Sequence, residues 1–169
     1  MKILFVDGYN VINTWPNLKK IKDYSYESAR QQLIETLQNY ANYEECNVNI
    51  VFDAHKVEGN IENKQDIDKR LSVVFTKDGE TADSYIERQV NELGRRFEVL
   101  VVTSDWLEQQ TIFQRGAIRV SSLEFYHIII NMEKEISSET KKITKGNKNR
   151  LEDSIDKEIL KKLEKMRRS

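Results

Sequence analysis

The sequence predicts an α/β domain built on a mainly parallel sheet, and three observations predict it. Short apolar runs of β type recur at 2–6, 47–52, 72–75, 99–102 and 117–120. Between most of them lie stretches whose apolar residues fall at helical spacing, and such alternation implies parallel strands with helices on both faces. Three of the runs lead into an acid, namely Asp7, Asp53 and Asp105, which suits the carboxyl edge of such a sheet, where sites form.

Taken in order, Lys2–Val6 reads as a buried strand, short and mostly apolar. Asp7-Gly8-Tyr9-Asn10 then turns the chain, with Gly8 expected to supply an unusual backbone angle. Residues 14–25, with the only proline, Pro16, read as a loop. Ser25 is the expected N-cap of a helix from Tyr26 to Tyr43, whose buried face is Ala29, Leu33, Leu37, Tyr40 and Ala41. Asn47–Phe52 is the second strand. Residues 54–70 are rich in charge and read as a surface flap, with at most a short helix near Asp66–Leu71. After the strand at 72–75, Thr81 is placed to cap a helix that buries Ala82, Ile86, Val90 and Leu93. Val99–Val102 is a strand, 106–113 a short helix, and Ala117–Val120 a last strand. Ser121 or Ser122 then caps a helix to about Glu135. Residues 1–136 form the predicted domain; 137–149 read as a polar linker within a 137–169 extension. That extension ends in an amphipathic helix with Leu151, Ile155, Ile159, Leu163 and Met166 along one stripe.

Charge divides the chain in the same place. Residues 134–169 hold 12 Lys/Arg against 7 Asp/Glu, while the first 133 hold 15 against 21. An acidic body with a basic tail suits a polyanionic partner met through the tail, or equally a solvated helix of mixed charge. A single cysteine, Cys46, rules out an intramolecular disulfide and suits the cytoplasm. The sequence lacks 18 consecutive apolar residues, so no membrane span is expected.

The acids carry the chemistry. Asp7, Asp53, Asp105 and the pair Glu80 and Asp83 would repel one another at one sheet edge unless a cation lay between them. Hard oxygen donors suit Mg²⁺ or Mn²⁺, and such a cation permits in-line attack of water on a phosphodiester. Asn10, three residues after Asp7, can serve there as a neutral donor and acceptor. Arg70, Arg115 and Arg119 are candidate phosphate contacts, and Trp15 a candidate base-stacking residue. A phosphatase with an aspartyl nucleophile expects a second acid where Tyr9 stands, and no G-x-G-x-x-G follows the first strand.

Four separated motifs meet a family. Val6-Asp7-Gly8-Tyr9-Asn10-Val11-Ile12, Val51-Phe52-Asp53-Ala54, Glu80-Thr81-Ala82-Asp83 after Phe75-Thr76, and Val102-Thr103-Ser104-Asp105 together resemble the NYN-domain nucleases, YacP-like group. Gly116–Ser121 with Glu124-Phe125 extends the likeness to about residue 135. The resemblance implies a PIN-like three-layer α/β/α fold and metal-dependent cleavage of RNA. It implies catalytic roles for Asp7, Asn10, Asp83 and Asp105. Asp7, Asp83 and Asp105 would be the metal ligands, with Asp53 and Glu80 at acidic positions of variable duty. It also implies messenger RNA as substrate and the translating ribosome as partner. The alternative is a non-catalytic RNA- or ribosome-binding protein on the same fold, and the complete acidic set favours the enzyme.

Overall fold

The computed structural model describes residues 1–54, 62–104 and 116–168, with the side chains of 145–160, 163, 164 and 168 left aside. Six strands form one sheet in the order β3-β4-β2-β1-β5-β6. They are β1 (Lys2–Asp7), β2 (Asn47–Phe52), β3 (Asn63–Asp66), β4 (Leu71–Phe75), β5 (Glu98–Val102) and β6 (Ile118–Val120). All neighbours pair in parallel except β3, which runs antiparallel to β4. From β1 the chain moves through β2 to β4 on one side, then restarts at β5 on the other. The strand order therefore reverses between β1 and β5, the kind of switch point beside which open α/β sheets build their sites.

The helices are α1 (Gly8–Thr14), α2 (Pro16–Lys22), α3 (Tyr26–Glu44), α4 (Ala82–Leu93) and α5 (Ser122–Arg168), with a 3₁₀ turn at Gly94–Arg96. The expected caps are present. Ser25 Oγ accepts the Ser28 N–H at 3.2 Å, Thr81 Oγ1 accepts the Ser84 N–H at 3.1 Å, and Ser121 Oγ accepts the Glu124 N–H at 3.2 Å.

Side-chain alternation decides which face each strand residue serves. Ile3, Phe5, Val51, Val74, Val99 and Val101 share one core cluster with Ala82, Tyr85, Ile86 and Val90 of α4. Leu4, Val6, Val48 and Ile50 have the opposite parity and are equally buried. Helix α3 touches β2 and β4, and its Leu33, Leu37 and Tyr40 are buried. The expected three layers are thus present. Burying a Leu- or Ile-sized side chain contributes roughly 1.5–3 kcal/mol, so this two-sided core holds the strand ends in place.

Four local expectations give way. The expected loop at 14–25 contains α2, because Pro16 sits at the first helical position, where its missing N–H costs nothing, and Leu18 is buried. Part of the expected flap is β3, Asn-Lys-Gln-Asp, exposed at all four residues and held by backbone pairing to β4. The expected linker at 137–149 is helical within α5. Gly8 does not adopt a positive φ; a β-carbon there would collide with the Phe52 ring, so glycine is required by close approach. Two units are compact in themselves, Met1–Ile129 and Ile130–Ser169. No helix among the described residues is long and apolar enough to cross a membrane.

Candidate active site

Parity carries the first acids to one place. Ile3 and Phe5 point into the α4-facing core, so Asp7, two residues on, emerges on that face at the end of β1. Val51 lies in the same cluster, and Asp53 follows it by two. Asp83 stands in the first turn of α4, where a helix N-terminus favours a carboxylate. The Asp7 and Asp83 carboxyls meet in a hydrogen bond, and Asp53 lies close enough for its charge to act on Asp7.

This company changes Asp7. Its carboxyl is raised to about 7, first by burial and then by the charge of Asp83, its hydrogen bond and the charge of Asp53, with the Asn10 N–H pulling the other way. The Asn10 N–H donates to Asp7 Oδ1 at 3.3 Å, which makes Asp7 the N-cap of α1. Two neighbouring carboxyls in a half-buried setting, one of them held against its own charge, form a natural seat for a cation.

Glu80 sits beside this pair in sequence but has its own partner. Arg88 Nη2 donates to Glu80 Oε1 at 3.1 Å and to Glu62 Oε1 at 2.9 Å, with the guanidinium 5.1 Å from the Tyr85 ring centre. Glu80 Oε2 is buried without a hydrogen-bond partner among the described residues. Thr76, fully buried, links the two acidic loops: its Oγ1 donates to Glu80 O at 2.8 Å and accepts the Ala54 N–H at 3.1 Å. In the sequence Thr76 stands out only as the residue directly after a strand and as part of the third motif, with no role attached to it.

Asn10 is less free than its sequence position suggests. Its Oδ1 accepts the Ser104 N–H at 3.1 Å and also the Ser122 hydroxyl. The Ser122 N–H in turn donates to Ser104 Oγ at 3.3 Å. The first turn of α1, the loop just beyond β5 and the start of α5 are thereby tied together at the switch point.

Asp105 and Arg115 lie outside the described residues. Among those described, no three acidic, histidine or cysteine side chains close around one point. The donor set still fits a hard divalent cation. Mg²⁺ needs only one or two carboxylates and keeps several waters; the Asp7–Asp83 pair supplies those carboxylates, and the unpartnered Glu80 Oε2 is a further buried acceptor.

Two candidates for RNA contact are corrected. Trp15 is 1% exposed and packs against Phe125 and Tyr126, and its Nε1 donates to Ser122 O at 2.9 Å. A ring so enclosed is closed to a base. Arg70 precedes β4 and its carbonyl accepts the Val48 N–H at the start of β2, so it stands at the amino end of the strands, opposite the acids. Arg119, by contrast, is exposed on the edge strand β6. Tyr9 packs edge-on against Phe52 and Tyr26.

Comparison with known proteins agrees with this architecture. The model of the YacP-like NYN domain matches residues 4–168. A Bacillus subtilis protein described as uncharacterized protein YacP is 42% identical over 169 residues, covering 99% of this chain and 98% of that one. The crystal structure of Rae1 (YacP) from Bacillus subtilis superposes with a TM-score of 0.74 at 40% identity, covering 100% of this chain and 96% of that one. A point mutant of that protein gives a TM-score of 0.73 over 85% of this chain and 84% of its own.

Proposed function

From the premise that this chain belongs to the YacP-like NYN family, we propose that it is a metal-dependent endoribonuclease. It cleaves messenger RNA phosphodiester bonds in the cytoplasm, in association with the translating ribosome. The observation that carries the reading is the Asp7–Asp83 carboxyl pair, at the carboxyl edge of the sheet and flanked by Asp53. Asp7 and Asp83, with Asp105 as the third ligand, would hold Mg²⁺ or Mn²⁺, and Asp53 and Glu80 would flank it. When bound, such a cation lowers the pKa of an attacking water and offsets charge on the phosphate.

The remaining work falls to the chain itself. Asp7 and Asp83 would supply the carboxylate oxygens that hold the cation. Asn10 hydrogen-bonds at the mouth of the site, and Arg119 offers an exposed cation to the RNA backbone. The basic tail suits a phosphate-rich partner: Lys134, Lys141, Lys142, Lys161, Lys162, Lys165 and Arg167 are all exposed. An acidic body repels free RNA, so docking through the tail favours cleavage on a ribosome over cleavage of naked RNA.

The test is cleavage of a messenger RNA on ribosomes with Mn²⁺ or Mg²⁺, comparing the wild type with Asp7→Asn and Asp83→Asn. Each substitution should slow cleavage by about a hundredfold or more while binding to ribosomes persists. Undiminished cleavage by either variant would overturn the assignment.

A further inference from the structure

We propose that Ser122 is a positioning residue that makes Asn10 a pure hydrogen-bond donor toward the substrate phosphate; this rests on the nuclease reading above. The argument begins with a donor that cannot be anything else. A backbone N–H only donates, and Ser104 N–H points at the Asn10 amide from 3.1 Å. The oxygen of that amide must therefore face Ser104, which settles which end of the side chain is which. The Ser122 hydroxyl meets the same oxygen, so it too must donate.

An amide oxygen has two lone pairs, and both are now taken. Asn10 Oδ1 is thereby withdrawn from metal coordination, and Nδ2 is the only polar group the side chain still offers. Two N–H bonds beside a carboxylate pair suit a phosphoryl oxygen, because they add donors without adding charge.

Ser122 is well built for holding this arrangement. It is fully buried at the first residue of α5. Its carbonyl accepts Trp15 Nε1 at 2.9 Å and its N–H donates to Ser104 Oγ at 3.3 Å. All of its polar groups are thus engaged, and the hydroxyl has one acceptor in Asn10. Without that hydroxyl the amide keeps one anchor and can rotate about its last bond.

The experiment is a double-mutant cycle on single-turnover RNA cleavage with Mn²⁺, using the wild type, Asn10→Ala, Ser122→Ala and the double variant. Removing a transition-state donor costs about a hundredfold, so Asn10→Ala should slow the chemical step by about that factor. Ser122→Ala should slow the step about tenfold or more with Asn10 present, and less than about twofold in the Asn10→Ala background. Equal losses in both backgrounds would mark a merely structural role and overturn the proposal.

A second measurement reads the wild-type protein itself. The Asn10 side-chain amide signals of the wild type, assigned through Asn10→Asp, should shift when Mg²⁺ and a non-cleavable 2′-O-methyl oligoribonucleotide are added. Signals that stay in place would overturn it as well. Cleavage that survives Asp7→Asn would instead defeat the nuclease reading, while a shifted Asn10 amide would still stand as evidence of phosphate contact.

Discussion

Replacing Asp7 with Asn should stabilise the metal-free protein above neutral pH while destroying the proposed activity. The Asp7 carboxyl is pushed up to about 7 from an ordinary 3.8, first by burial and then by Asp83 and Asp53. A carboxyl with a raised folded-state pKa keeps its proton in the native state over a range where the unfolded chain has released it. The contribution of Asp7 to native stability is therefore highest below about pH 4, falls as pH rises through 4 to 7, and is flat beyond. At 1.36 kcal/mol per unit the full window is worth about 4 kcal/mol, and contact of a half-buried group with water reduces this to about 2 kcal/mol.

Asparagine removes the ionisation and can still accept the Asn10 N–H as an N-cap. The variant should match the wild type near pH 4 and exceed it by about 2 kcal/mol at pH 8, or about 4–8 °C in Tm. The assay is urea unfolding in chelator at pH steps from 4 to 8. Adding Mn²⁺ at pH 8 should then raise the wild-type midpoint and leave the variant unmoved, since a ligand stabilises only the form that binds it. Parallel pH profiles for the two proteins would refute the reasoning, because they would mean that Asp7 is not held against its own charge.

Other consequences test the scaffold. Gly8→Ala should cost about 1–3 kcal/mol in urea unfolding, because the new methyl group meets the Phe52 ring beneath the first acid. Trp15→Phe should cost about 1–3 kcal/mol by removing the donor to Ser122 O, with RNA affinity at saturating metal unchanged if the indole is a packing group. Truncation after residue 136 should weaken ribosome co-sedimentation while urea unfolding still shows the Met1–Ile129 unit folded; undiminished sedimentation would exclude the tail from docking.

Much of this protein is legible in one dimension. Apolar runs with β character, helical spacing and cap residues depend on neighbours within a few positions. Five of the sheet's six strands, α3 and α4 with their caps, and the acids at strand ends therefore follow from sequence. Pro16 misled because the same ring geometry that breaks a helix interior also suits its first turn. Strand β3 was hidden because an edge strand is held by backbone bonds, which leave no mark in side-chain pattern. Gly146 and its lysines read as a linker because propensity alone disfavours glycine in a helix, by only about 1 kcal/mol.

What tertiary structure alone decided is direction and company. Arg70 and Arg119 look alike on paper, yet strand register sends one to the amino edge and leaves the other exposed on the outermost strand. Trp15 could have stacked on a base until helix α5 enclosed it. Asp7 and Asp83 are 76 residues apart and become neighbouring carboxyls only once α4 packs on the odd-numbered face of β1. Sequence specifies which groups are present and which face each takes within its own element. Long-range packing brings those faces together, and the energy of a charge depends on what else arrives there.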